Sequence, residues 1–84
     1  MGPMITAEQI RGARGILHWS AKQLADASGV SVPTIQRMEA GTGIPKSIAT
    51  NLDAVRRALE KAGIEFIDQN GGGPGVRLKD RMAD

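Results

Sequence analysis

The stretch LADASGVSVPTIQRMEAG, residues 24–41, decides the fold. Two helices can cross steeply through a turn of roughly three or four residues only under three conditions. The first helix must have a small side chain at the crossing, the turn must contain a glycine, and the second helix must direct apolar side chains inward. Ala25, Gly29 and the pair Ile35 and Met38 meet these conditions in order. The stretch therefore predicts two short helices joined by a tight turn.

Cap residues mark the start of each of these helices and of one before them. Thr6 is followed three residues later by Gln9, and Ser20 is followed in the same way by Gln23. Both pairs are capping boxes, in which side chain and main chain bond to each other at a helix start. Ser31 is a third N-cap, and the proline after it is tolerated in a first helical turn. The pattern predicts three helix starts.

Glycines and apolar periodicity set the helix ends. We expect the first helix to end near residue 17, the second at Gly29 and the third at Gly41. A fourth helix follows, with Ser47 or Thr50 as its cap and Gly63 as its terminator. Its apolar stripe consists of Leu52, Val55 and Leu59.

From Ile64 onward the apolar period changes from that of a helix to that of a strand. Ile64 and Phe66 alternate with a glutamate, and Val76 and Leu78 alternate with an arginine, across a loop at residues 69–75. This pattern predicts a β-hairpin. A lone two-stranded hairpin is marginal in water, so its apolar face either packs on the helices or pairs with a second chain. In the second case these four apolar residues would form a dimer interface.

The elements together predict a mainly α fold, a compact bundle of four to five short helices with a C-terminal β-hairpin. We place a single helical domain at residues 4–63, the hairpin at residues 64–79 and a frayed tail at residues 80–84. The net charge of +2 is too small to identify a partner by itself.

The composition also argues against several classes of protein. The chain of 84 residues has no cysteine and one histidine, so we expect no disulfide, metal site or cofactor. No paired carboxylates or nucleophile with a base stand out, so we expect no enzyme. Apolar runs are too short to span a membrane, and we expect a soluble cytoplasmic protein.

One face of the third helix is left free by the inward packing of the other. Val32, Pro33, Gln36 and Arg37 fall within about 140 degrees of one another on a helical wheel. An exposed Arg and Gln are by themselves typical of any solvent-facing helix. Apolar residues at the start of a short helix are not needed for solubility, although proline also suits a first turn. The four side chains match the major groove, where Arg suits guanine, Gln suits adenine and apolar groups suit the thymine methyl.

Residues 4–63 resemble the Cro/repressor class of helix-turn-helix proteins, also called the XRE family. The match is Leu24-Ala25-x-x-x-Gly29-Val30-Ser31-x-x-x-Ile35-x-x-Met38-Glu39-x-Gly41. The resemblance implies operator binding as a dimer, usually for repression, with the third helix in the groove. It also implies an ion pair between Arg14 and Glu39. Members often carry glutamines where this chain has Val32 and Pro33, so DNA shape is expected to supply part of the specificity.

The resemblance assigns roles to further residues by position. It places Val32, Pro33 and Arg37 among the base-reading residues, and we add Gln36 from the helical wheel. The residues expected to contact DNA phosphates are Ser20, Lys22, Ser31, Thr42 and Lys46.

Two functions follow from these patterns. The first is a homodimeric transcriptional regulator that binds double-stranded DNA at a two-fold operator and is associated with the nucleoid. The resemblance implies that it is a repressor. The second is an antitoxin or co-regulator that docks a partner protein, such as a toxin, through the hairpin edge or Phe66 and autoregulates its operon.

Overall fold

The computed structural model describes residues 4–68 and 71–79, which form four helices and an antiparallel two-stranded sheet. The elements are α1 Ala7–Leu17, α2 Ala21–Ser28, α3 Val32–Glu39, α4 Ala49–Lys61, β1 Ile64–Ile67 and β2 Gly75–Leu78. The predicted fold class, a mainly α bundle with a C-terminal hairpin, is confirmed. The expected frayed tail at residues 80–84 and two residues of the expected hairpin loop, 69 and 70, lie outside the described residues.

The first three helices begin at the predicted caps. Thr6 Oγ1 accepts the Gln9 amide at 3.1 Å, and Gln9 Oε1 accepts the Thr6 amide at 2.9 Å. Ser20 and Gln23 make the same pair of bonds at 3.1 and 2.7 Å. Ser31 Oγ accepts an amide of the first turn of α3 at 3.4 Å. Local sequence therefore sets all three starts, because each cap satisfies amides that the helix itself leaves without a partner.

The start of α4 differs from the prediction. Neither Ser47 nor Thr50 caps this helix: its N-cap is Ile48, which makes no side-chain cap bond. The Ile48 carbonyl already accepts the Asn51 amide at 2.9 Å, so the helical bonding begins there. Ser47 lies one residue too early to serve as the cap, and Thr50 lies inside the first turn.

The end of α3 also differs from the prediction. Its last helical residue is Glu39, and the following Ala40 is already extended, with φ −77° and ψ 132°. Gly41 adopts φ +93°, which favours glycine, but it does so one residue beyond the cap. Gly41 therefore lies at the C′ position, where helix-terminating glycines are common, two residues after the last helical residue.

A single core joins the four helices to β1. α2 packs on α3 and α4, and α1 packs on α3, α4 and β2. Fully buried side chains from successive elements meet in it: Ile10, Leu24, Ile35, Leu59 and Ile64. Burial of each such side chain stabilises the fold by about 1.5–3 kcal/mol relative to its exposure.

The hairpin packs on the helices of its own chain, which was one of the two predicted alternatives. Ile64 is buried, and Phe66 and Val76 lie against the helical core. Gln9 Nε2 donates to the main-chain carbonyls of Ile67 at 3.2 Å and Gly75 at 3.0 Å, which ties both strands to α1. Gln9, at the capping box, therefore also holds the hairpin, a role that the sequence pattern did not reveal.

Within the described residues, no helix is long and apolar enough to span a membrane.

Candidate nucleic-acid interface

The turn between α2 and α3 is short and is held by local bonds. Gly29 adopts φ +76°, and its amide donates to the Ala25 carbonyl at 2.9 Å. The Val30 amide donates to Ser28 Oγ at 3.1 Å, and the Val30 side chain is buried. A side chain at residue 29 would be strained by the positive φ, so glycine is required by the backbone of this turn.

α3 presents one buried face and one free face, as the helical wheel predicts. Ile35 and Met38 are buried in the core. On the other side Pro33, Gln36 and Arg37 are exposed. Val32, the fourth predicted base-reading residue, is half-buried at the first helical position. A free face of this kind is what a helix needs to enter the major groove.

Three side chains form a hydrogen-bonded row along the free edge of α3. Ser31 Oγ donates to Thr34 Oγ1 at 2.9 Å, and Arg37 Nη2 donates to the same oxygen at 3.1 Å. The row orients the Arg37 guanidinium toward the N-terminal end of the helix. A guanidinium has five N–H donors, so the others are left for a ligand. Sequence reasoning missed Thr34, although its position three residues before Arg37 was a usable signal.

A surface cleft of about 530 Å³ lies between α3 and the start of α4. It joins Arg37, expected to read a base, with Lys46, expected to contact a phosphate. The lining contains no carboxylate, and neither cation forms an ion pair with any residue in 4–68 or 71–79. The complete lining is Thr34, Arg37, Met38, Lys46, Ser47, Ile48 and Asn51. Such a cleft favours an anionic ligand.

The comparison with known families agrees with this geometry. Residues 10–49, which hold most of α1 together with α2, the turn and α3, match the helix-turn-helix family. The chain carries a Cro/repressor-type helix-turn-helix. This match, over residues 10–49 of the 84-residue chain, supports a DNA-binding transcription regulator of the XRE type. No curated protein matches the chain at a significant level.

The remaining predicted phosphate contacts of this helix-turn-helix regulator are spread over several elements. Ser20 and Lys22 lie at the start of α2, where Lys22 forms an exposed pair with Asp26 at 3.3 Å. Such an exposed pair is weak enough to open for another anion. Ser31 lies at the start of α3, and its hydroxyl is engaged by Thr34. The last of them, Thr42, is exposed in the loop after α3.

Arg14 and Glu39 join α1 to the last turn of α3 in this regulator. Arg14 Nε and Nη2 donate to the two Glu39 carboxylate oxygens at 2.6 and 2.7 Å. Arg14 Nη1 also donates to the Trp19 carbonyl at 2.8 Å. The hydrogen bond with Glu39 raises the pKa of Arg14 above its ordinary value. This bidentate ion pair therefore ties the last turn of α3 to α1.

The four hairpin residues expected at a dimer interface differ in burial. Ile64 is buried in its own chain, and Phe66 and Val76 are half-buried against the helical core. Leu78, which is 38% exposed, is the most accessible of the four. Pairing between hairpins would therefore use Leu78 and the outer strand edges first. The sequence could not decide this because the same alternation serves both kinds of packing.

His18, whose type makes it a possible metal ligand, ends α1 in this regulator. It adopts φ 57°, and its amide donates to main-chain carbonyls of the last turn. Across residues 4–68 and 71–79, no group of three or more His, Cys, Asp or Glu side chains could hold a metal ion.

Proposed function

We propose that this protein is a homodimeric repressor that reads a two-fold symmetric operator with the N-terminal end of α3 in the major groove. The observation that carries the proposal is the cleft that Arg37 and Lys46 line together without a carboxylate. A groove-inserted helix needs its base-reading cation close to groups that hold the adjacent phosphate backbone. The presence of Arg37 and Lys46 in one cleft supports this arrangement.

Readout of the bases would rest on few hydrogen bonds. Arg37 can donate two bonds to guanine O6 and N7, and Gln36 can pair with adenine N6 and N7. Val32 and Pro33 can offer only apolar contact, which suits a thymine methyl. The remaining specificity would then come from the shape and deformability of the operator.

Phosphate contacts would fix the register of this readout on the duplex. Lys46 and Thr42 would approach the backbone from the loop after α3, and Ser20 with Lys22 from the start of α2. Backbone contacts of this kind supply most of the affinity and its dependence on salt.

The first experiment is selection of bound duplexes from a random DNA pool with the full chain. We expect enrichment of a palindrome whose half-sites lie about one helical turn, 34–36 Å, apart. Placed across a promoter, the enriched sequence should lower reporter expression when the protein is present. A pool that shows no enriched sequence contradicts operator binding, and enrichment of an asymmetric single site contradicts the two-fold arrangement.

Variants in the cleft then separate base reading from phosphate binding. Arg37→Ala should cost about 1–3 kcal/mol on the selected duplex and relax the preference at one base pair. Lys46→Ala should weaken selected and scrambled duplexes alike and reduce the salt slope by about one. Lys61→Ala is the charge-matched control, since it lies roughly 15 Å along α4 from the cleft residue Asn51. Equal losses for Arg37→Ala on both duplexes would count against base reading.

The homodimer is tested at the hairpin surface. Because the hairpin covers the helical core, a point change at exposed Leu78 is a cleaner probe than deletion of the strands. If hairpins pair through this edge, Leu78→Glu should shift the sedimentation coefficient from dimer to monomer while circular dichroism stays unchanged. A variant that remains dimeric places the interface elsewhere.

A further inference from the structure

The loop after α3 is bonded to the first turn of α1, which is distant in the sequence. The Ala7 amide donates to the Gly43 carbonyl at 2.8 Å. The Glu8 carboxylate accepts the Gly43 amide at 3.0 Å. Both polar main-chain groups of Gly43 are therefore held by α1.

Arg11 of α1 holds the main chain just before this point. Its Nη1 donates to the Gly41 carbonyl at 2.9 Å and to the Glu39 carbonyl. Glu39 is the last residue of α3, so the guanidinium lies at a helix C-terminus, where a cation is favourable. We call the bonds of Ala7, Glu8 and Arg11 to the main chain of residues 39–43 the α1 clamp.

The α1 clamp spans the segment that connects the two kinds of predicted DNA contact. Thr42 lies between two clamped glycines, and Lys46 follows three residues after Gly43. Arg37 lies two residues before Glu39. A loop fixed in its bound geometry loses less conformational entropy when it binds, so these bonds affect affinity without touching the ligand.

We propose that Glu8 and Arg11 are positioning residues for DNA binding, because they set the spacing between the reading face of α3 and the phosphate-contacting loop. This inference rests on the proposed operator binding. Neither residue belongs to the motif that carries the family resemblance, and both act through main-chain atoms of residues 39–43.

Substitution of Glu8 distinguishes a positioning role from a purely electrostatic one, because the two predict opposite changes in DNA affinity. Removal of an anion from a DNA-binding protein tightens its association with phosphates when charge alone matters. Loss of the bond to Gly43 weakens the selected complex when position matters. The amide oxygen of glutamine can still accept the Gly43 amide, so Glu8→Gln removes the charge and retains the bond.

The experiment measures binding of the full chain to two probes: the duplex most enriched from the random pool and a scrambled duplex of equal composition. Glu8→Ala should weaken the selected complex about threefold and leave the scrambled complex unchanged or tighter. Glu8→Gln should bind the selected duplex at least as well as the parent protein. Glu60→Ala is the matched control, since it removes an anion from the far end of α4. A Glu8→Ala variant that binds the selected duplex like the parent or like Glu60→Ala overturns the proposal.

Arg11→Ala provides a second test of the positioning role. It should weaken the selected complex about tenfold with an unchanged salt slope, because no phosphate contact is lost. Equal weakening on both duplexes with a slope reduced by about one would show a direct phosphate contact and overturn the positioning role. Hydrogen exchange at the Ala7 and Gly43 amides, measured without DNA, should be faster in Glu8→Ala than in the parent. Unchanged exchange at both amides also overturns the proposal.

The two failures can be told apart. If the parent protein enriches no sequence from the pool, operator binding is wrong and the positioning role falls with it. If the parent selects a sequence and the Glu8 and Arg11 variants bind it equally well, only the positioning role is wrong.

Discussion

The two ends of α3 are held in different ways. At the N-terminal end, the bonds run between near neighbours: Gly29 to Ala25, Val30 to Ser28, and Ser31 to the first turn of the helix. At the C-terminal end, the chain is held from α1, 25 or more residues away in sequence, by the α1 clamp and by Arg14.

One end of α3 is therefore positioned by local bonds, and the other end is positioned by tertiary contacts. The N-terminal end carries Val32 and Pro33, two of the four predicted base contacts, and its geometry is specified by the Ser31 cap and by Gly29. The C-terminal end leads to the loop that carries the predicted phosphate contacts. Its geometry exists only once α1 has docked, so it depends on the assembled domain.

The first prediction has the largest expected effect on the free energy of unfolding. It compares an apolar residue of α3 with an apolar residue of the following loop. Ile35 is buried at the middle of α3, whereas Ile44 in the following loop is 51% exposed. Ile35→Ala should lower the free energy of unfolding by about 3 kcal/mol, because it leaves a cavity between α3 and its neighbours. Ile44→Ala should change it by less than about 0.5 kcal/mol. Urea denaturation of the two variants measures both values, and similar losses would contradict the view that the loop lies outside the core.

Sequence reasoning succeeded where bonds are local. The two capping boxes and the turn at Gly29 could be predicted because each involves residues at most four positions apart. The sequence also indicated the free face of α3, since the buried residues Ile35 and Met38 fix which side is left outside.

Most bonds between distant residues were not predicted, and the Arg14–Glu39 ion pair was expected only from the family resemblance. The roles of Glu8 and Arg11 depend on main-chain groups around residue 40, and no periodicity reports such contacts. The double use of Gln9, as cap partner and as donor to both hairpin strands, was hidden for the same reason. The expected caps of α4 were wrong because serine and threonine near a helix start are common, and here the bonding begins at Ile48.

The second prediction compares two glycines with nearly equal φ angles. Gly29 and Gly43 have φ +76° and +75°, and neither has an atom within 4 Å of an added Cβ. Gly29→Ala should cost about 1–2 kcal/mol, because the turn cannot relax without moving the buried Val30. Gly43→Ala should cost less in global stability, since residues 40–48 are all at least partly exposed and the loop can shift.

Thermal unfolding of the two glycine variants measures this difference. In Gly43→Ala, displacement of the loop should instead speed hydrogen exchange of the Ala7 amide, because this amide donates to the Gly43 carbonyl. Equal losses of unfolding free energy would mean that the loop is as rigidly determined as the turn.

The third prediction compares removal of the N-terminal side-chain cap of α3 with the addition of such a cap to α4. Ser31→Ala removes the side-chain cap of α3 and should destabilise the fold by about 1 kcal/mol. Ile48→Ser should stabilise it by about 0.5 kcal/mol, because Ile48 is the uncapped N-cap of α4 and is 68% exposed, so little packing is lost. Urea denaturation should therefore move the midpoint in opposite directions for the two variants. A lower midpoint for Ile48→Ser would show that its side chain contributes more packing than its exposure indicates.

The smallest expected effect tests whether acid loosens one end of α3 and leaves the other unchanged. The hydrogen bond from its own amide, followed by that from Gly43, lowers the pKa of Glu8 below its ordinary value, which is about 4.3 for glutamate. Because the folded state lowers this pKa, the stabilisation is complete above the ordinary value and is lost as the pH falls through the folded value. The turn before α3 is held by serine and main-chain groups, which do not titrate in this range.

Amide spectra recorded from pH 7 into the acid range report both ends at once. The Gly43 amide should shift with a midpoint below the ordinary glutamate value, and the Val30 amide should not follow it. In Glu8→Gln the Gly43 titration should disappear while the bond itself remains, since the amide oxygen still accepts. A Gly43 midpoint at or above the ordinary value would mean that Glu8 gains nothing from the loop, and the C-terminal end of α3 would then be held by Ala7, Arg11 and Arg14.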